Sequence, residues 1–276
     1  MLGKLMKYEM KSTYKMGCLV LCAMAVITFL GWLAFQNSVW SEIGRTGGRS
    51  AVDWADFFYL FVMMLYAMLL VVANFGILIY LGVHFYRSMY TDQGYLTHTL
   101  PVSKHQILVS KMLVSGLWML FVMIAIYLSL TVLGLSLVFS LLPDGYTLSQ
   151  AWAEFTGGLW QLVIEFGEWF EFDVSGWLIS TLLISLVTPF VTITTLFGAI
   201  SIGQLASRYR LFLGVVCYIG ILVVSSLVSS LFRSFATSLG TYMSSSLNIQ
   251  FAVNLLVAAA LYITSYFIIS RKLNMG

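Results

Sequence analysis

Charge is the scarcest property of this sequence. Of its 276 residues only 9% are Asp, Glu, Lys or Arg, against about a quarter in ordinary soluble domains, and 60% are hydrophobic. A water-soluble fold is therefore excluded, and a membrane protein is expected. Cysteine is scarce as well. Cys18, Cys22 and Cys217 all fall in apolar stretches, where a thiol behaves as a small apolar side chain, and they offer neither a disulfide framework nor metal-ligand spacing. The sequence also lacks a G-x-x-x-x-G-K-[ST] loop for nucleotide phosphates, so a self-powered pump is not expected.

The 25 charged residues (14 basic and 11 acidic) leave six stretches with none: Gly17 to Phe35, Phe57 to Val83, Met112 to Leu142, Val174 to Ser207, Leu211 to Phe232 and Phe251 to Ser270. At about 1.5 Å per residue even the shortest spans roughly 28 Å, the thickness of a bilayer's hydrocarbon core. Each is expected to cross once, the third and fourth as tilted helices with interfacial extensions. A transmembrane barrel needs strands of alternating polarity, and Leu117 to Leu130 does not alternate. The expected fold class is all-α, one transmembrane domain over 1–276 with six transmembrane helices. No Ala-x-Ala pattern follows Phe35, so the first span is expected to be a retained helix and not a cleaved signal.

If the N-terminus is cytoplasmic, the inner segments hold Lys4, Lys7, Lys11, Lys15, Arg87, Lys104, Lys111, Arg208, Arg210, Arg271 and Lys272, and only Arg45, Arg49 and Arg233 lie outside. The positive-inside rule then puts both termini in the cytoplasm. Ion-coupled carriers keep an ionisable residue at membrane depth; the six stretches have none, so driving force is expected from a partner. Their Asn74, Gln204, Asn254 and hydroxyl residues suit packing of helix on helix.

Residues 1–16 form an amphipathic pattern, with four lysines on one side and Leu2, Leu5, Met6 and Met10 on the other, expected to lie on the inner membrane surface against anionic lipids. Glu9 falls in the middle of the apolar side. Either it snorkels or pairs with a neighbouring lysine, or it pairs with a basic residue on a cytoplasmic loop or partner. The segment from His84 to Lys111 is the longest inner one. Ser103 followed by Gln106, with Pro101 just before, predicts a helix that starts at Ser103 and runs into the third span. Thr91 to Thr99, interrupted by Gly94, suits a brief surface helix.

DQGYLTHTLPVSKHQILVSKML, residues 92–113, resembles the segment between the second and third spans of bacterial type-2 ABC transporter permeases, where variants of G-Y-L-x-x-T-L-P-[VI]-S-[RK]-x-x-[IL]-x-x-[SA]-K recur. The opening MLGKLMKYEMK, with its K-Y-E core, resembles the short basic helix that begins many such chains. Six spans with both termini inside agree with that family over the whole length. The resemblance implies a bacterial cell-membrane permease subunit that works with a second permease copy or paralogue and with a separate ATP-binding ABC subunit. Membrane lipids are its other expected partner; no cofactor, nucleic acid or enzymatic activity of its own is expected. It further implies that Thr91–Thr99 is a coupling helix seated in a cleft of the ATP-binding subunit, with Thr91, Asp92, Gly94, Tyr95, Leu96 and His98 at or near the contact and Glu9 in the connecting helix beside it. The alternative for Tyr95 and Leu96 is simple anchoring of the loop in the interface.

Between the third and fourth spans, Asp144, Glu154, Glu165, Glu168, Glu171 and Asp173 are interleaved with tryptophans and phenylalanines, without a basic residue. This segment departs from the short loop of the simplest family members. An interfacial helix, or a pair of helices broken at Gly157-Gly158, is expected, and Glu154, Glu165, Glu168 and Glu171 are candidates for attracting cationic, amphipathic cargo such as antimicrobial peptides. Acid/base catalysis by these carboxylates is set aside for want of a cleft or partner, and His84, His98 and His105 are too scattered for a metal. In the fifth span Ser225, Ser226, Ser229 and Ser230 form two i, i+4 pairs suited to a subunit interface. Pro189 is expected to kink the fourth span, with Thr188 or Thr192 satisfying the freed carbonyl, and Arg233 to Gln250 suits a short re-entrant or capping piece. The expected function is export of an amphipathic or lipid-like compound or cationic peptide; the alternative is a non-transporting sensor or anchor for a cytoplasmic partner.

Overall fold

The structure, a computed structural model, describes residues 2–35, 54–91, 94, 102–141, 147–169, 174–206, 209–238 and 244–271. Among these the chain is all-helical, with seven helices and no strand: α1 (Leu2–Phe35), α2 (Trp54–Tyr90), α3 (Lys104–Leu141), α4 (Leu148–Trp169), α5 (Val174–Gly203), α6 (Arg210–Ser238) and α7 (Ser244–Arg271). All but α4 contain a stretch of at least 23 residues long and apolar enough to cross a membrane. Large apolar side chains such as Met64, Leu182, Ile219 and Leu256 are exposed along these helices, a surface that suits lipid and not water. Cys18 and Cys22 are on that exposed surface too. The chain is a multi-pass membrane protein.

The packing gathers these residues into two compact units. One comprises residues 1–14, 78–120 and 167–276. In it α5, α6 and α7 pack on one another, and the rings of Phe85 and Phe197 stack with centroids 3.9 Å apart amid buried Leu81, Met89, Leu108, Val114, Ile193 and Ile269. Glycines permit the close approaches. A Cβ on Gly203 would lie 2.7 Å from the Cα of Gly214, so the backbones of α5 and α6 meet there with no room for a side chain. The other unit comprises residues 15–77 and 121–166, with Met24, Tyr66, Ile77 and Val122 buried; Gly31 lets Tyr66 and Leu133 close in, 3.2 and 3.3 Å from where its Cβ would stand.

Several local expectations change. Residues 2–16 and the first span form one uninterrupted helix, because no residue between them breaks the hydrogen-bond ladder. For α4 the single-helix alternative is the one found: it runs unbroken through Gly157 and Gly158, since two glycines cost about 2 kcal/mol, too little to split a 22-residue helix. Helix α5 continues through Pro189, but neither threonine reaches the carbonyl of Ser185 that proline frees. Thr188 donates to the carbonyl of Ile184 at 2.7 Å and Thr192 to that of Thr188 at 2.9 Å, each taking its own i−4 acceptor. The expected piece over 233–250 is divided: 233–238 continue α6, 244–250 begin α7, and 239–243 lie outside the described residues.

The start of α3 agrees with its capping signal. The helix begins at Lys104, and the amide of Gln106 points at Ser103 Oγ, 3.4 Å away, as an N-cap serine requires.

Candidate functional site

The buried stripe of α3 has a helical repeat, with Ile107, Leu108, Lys111, Met112, Val114, Ser115 and Trp118 all inside. Lys111 is its one charged member, and its side chain is only 4% exposed. An ammonium so buried needs a partner. Glu9 supplies it: Lys111 Nζ donates to Glu9 Oε1, and Glu9 Oε2 lies 3.4 Å from Nε2 of His84 near the end of α2. The carboxylate thus holds a cation from α3 with one oxygen and an imidazole from α2 with the other. His84 is in turn backed by the stacked ring of Tyr80 on the same helix.

One turn further along α1, Thr13 is 1% exposed. Trp118 Nε1 donates to its hydroxyl at 2.9 Å, and Thr13 donates onward to the carbonyl of Glu9 at 3.0 Å. Glu9 meets Lys111 and Thr13 meets Trp118, so the two helices run in the same direction here. Of the two readings of Glu9, pairing with a basic residue of the 84–111 segment is the one found, and the residues concerned are its two ends.

Other contacts gather further helix ends beside this cluster. Tyr90 donates to Ser201 Oγ at 2.8 Å, joining the end of α2 to the end of α5. Lys104 Nζ donates to the carbonyls of Ile269 and Ser270 at 3.2 and 3.4 Å, placing a cation where the dipole of α7 is negative. His105 Nδ1 and the hydroxyl of Tyr262 share a hydrogen bond. The N-terminal turns of α1 and α3 and the C-terminal turns of α2, α5 and α7 therefore meet at one end of this unit. That end presents exposed Lys4, Lys7, Lys11, Arg87 and Arg210.

Of the residues expected to couple to an ATPase, Thr91 and Gly94 form a turn at the end of α2. Gly94 N donates to the Thr91 carbonyl at 2.7 Å, and a Cβ on Gly94 would press on the backbone of Met89, so the close approach requires a glycine. Asp92, Tyr95, Leu96 and His98 lie outside the described residues, as does Glu171. Glu154, Glu165 and Glu168 are exposed on α4; Glu154 and Glu165 are eleven residues apart, about three turns, and share a face. In α6 the serines divide. Ser225 and Ser229 are buried within the chain and donate to the carbonyls of Leu222 and Ser225 at 3.0 and 2.7 Å, whereas Ser226 and Ser230 are exposed.

Lys111 is the residue that inspection of uncharged runs misses. It stands one position before such a run, and its signal was the Ser103 cap, which puts it eight residues into a helix on the apolar stripe. Comparison of the chain with protein-family models, with curated proteins and with solved structures finds no match in any of the three.

Proposed function

We propose that the chain is the membrane-spanning permease subunit of an ATP-driven ABC-type exporter, set in a bacterial cell membrane with both termini in the cytoplasm. The carrying observation is the Glu9–Lys111–His84 cluster. It ties the N-terminal helix to both ends of the segment whose sequence resembles the ATPase-docking loop of type-2 permeases. A load applied to that loop by a cytoplasmic partner passes into three helices at once, through a pair whose burial makes it stiff and hard to break. The positive-inside rule assigns the basic end, with Lys4, Lys7, Lys11 and Lys15, to the cytoplasm; these four lysines face anionic headgroups.

The uncharged spans favour an amphipathic or lipid-like cargo and a driving force supplied by the partner. A second permease copy or paralogue completes the pathway, for which Ser226 and Ser230 remain exposed. The exposed acids of α4 suit attraction of a cationic peptide. Co-purification with an ATP-binding subunit, followed by ATPase assay of the reconstituted complex with and without candidate cargo, tests the reading. Copurification lost in Tyr95→Ala and Leu96→Ala supports it. Binding of an ATPase that cargo never stimulates favours a non-transporting anchor, and failure to bind any ATPase removes the proposal.

A further inference from the structure

We propose that the cleft between α1 and α3, in the unit formed by residues 15–77 and 121–166, binds a neutral lipid-like molecule through a hydrogen-bond donor such as a free hydroxyl. The cleft has a volume of about 470 Å³, within the range of small-molecule sites. Leu21, Ala25 and Phe29 form one wall and Ala125, Leu128 and Val132 the other, with Thr28 and Ser129 between them. No lining residue is charged.

Its polar floor is a chain of hydroxyls whose direction is fixed. Thr28 Oγ1 donates its proton to the carbonyl of Met24 at 2.7 Å. Thr28 Oγ1 and Ser129 Oγ are also 2.7 Å apart, and with the threonine proton already committed the serine must donate. Ser129 Oγ is 2.5 Å from the hydroxyl of Tyr66, and by the same count the tyrosine must donate. The sequence Tyr66 to Ser129 to Thr28 to Met24 is the one arrangement that satisfies all three contacts, since each hydroxyl has a single proton.

Ser129 and Tyr66 are buried, 2% and 6% exposed, so water does not relax this constraint. Every proton at the floor is therefore engaged, and Thr28, only half-buried where Ser129 is sealed, offers the cleft an acceptor lone pair and no proton. A ligand that donates is complemented; one that only accepts meets oxygen on oxygen. Thr28 lies eleven residues into the uncharged run that begins at Gly17, roughly 16 Å along the helix, a depth at which a charged group is costly. The donor is thus neutral and the body apolar. The inference does not rest on the transporter reading, because binding is measured on the chain without ATP or a partner.

The test uses the full chain in phosphatidylcholine nanodiscs and a diazirine-bearing hexadecanol as photoprobe, with labelled peptides located by mass spectrometry. Labelling is expected in α1 and α3 around Ala25 and Ala125, with unlabelled hexadecanol displacing the probe at about one fifth the concentration that its methyl ether requires, the factor of a single net hydrogen bond. In the near-isosteric Thr28→Val the serine proton is released into the cleft and the preference falls to about one. Ala125→Leu puts a branched side chain into the cleft and sharply lowers labelling there; Ala25→Leu on the opposite, exposed wall serves the same end if the first fails to fold. Equal displacement by alcohol and ether in the native chain, labelling confined to other helices, or labelling undiminished by both leucine variants overturns the proposal.

Discussion

Removing the charge from Glu9 and removing it from Lys111 are not equivalent changes. Glu9→Gln leaves a nearly inaccessible ammonium facing a neutral amide, and a loss of about 3 kcal/mol is expected. Lys111→Met leaves the carboxylate with His84 as partner and with 19% of its side chain in contact with solvent, so a loss of roughly half that size is expected. The double variant replaces the pair by neutral groups and is expected to sit closer to the native protein than the sum of the two losses. Unfolding midpoints of the purified protein in mild detergent, combined as a double-mutant cycle, check all three; strict additivity would mean that the pair contributes no coupling. Trp118→Phe removes the donor to Thr13 without changing the apolar stripe, for an expected loss of about 1 kcal/mol. At this scale the sequence was only half legible. Glu9 was conspicuous as an acid on an apolar face, whereas its partner is 102 residues away and no local pattern connects them.

Among the elements, the glycines differ in what a side chain there would meet: a backbone, another side chain or nothing. Gly203→Ala would drive a methyl group into the backbone of Gly214 and the carbonyl of Arg210, 2.8 Å away, and neither atom has a rotamer by which to escape. A marked fall in thermal stability is expected. Gly158, with nothing within 4 Å of its Cβ position and a helical backbone, is the opposite case: Gly158→Ala is expected to raise stability by about 0.5–1 kcal/mol through helix propensity alone. Thermal scans of the two variants against the native chain decide the matter, and a destabilised Gly158→Ala would show that α4 is bent or covered there. The same helix explains which element boundaries were readable. The Ser103 cap set the start of α3, and the uncharged runs located six helices, because hydrocarbon tolerates no unpaired backbone and leaves long helices as the answer. Gly157-Gly158 left one helix or two open and the Ser-rich 233–250 misled, since propensity is weak against the cooperativity of a long helix.

For the whole molecule, the distribution of basic residues predicts orientation. Eleven of 14 lysines and arginines fall in the segments 1–16, 84–111, 208–210 and 271–276, and contacts in the larger unit bring parts of the first three, with Ile269 and Ser270 just before the fourth, to one end. A single cysteine at Lys7 or Gly276, in a chain freed of its three native cysteines, is expected to react with a membrane-impermeant maleimide only after the cells are opened. Reaction of Lys7→Cys in intact cells would invert the topology and withdraw the ATPase proposal with it. Neutralising Glu154, Glu165 and Glu168 to glutamine is expected to leave stability unchanged, because all three are exposed, while lowering tolerance of cells to cationic peptides if α4 gathers cargo. Unchanged tolerance would confine α4 to an anchoring role.

The ion pair also sets an order of events during synthesis. Glu9 leaves the ribosome 102 residues ahead of Lys111, and at about 5–20 residues per second the carboxylate waits roughly 5–20 s for its cation. Throughout that interval the apolar run after Gly17 is free to enter the bilayer, but the first turns of α1 have no partner to bury against. Docking of the N-terminus is therefore a late step: a chain that stops between His84 and Lys111 has the imidazole to offer Glu9 but not the ammonium.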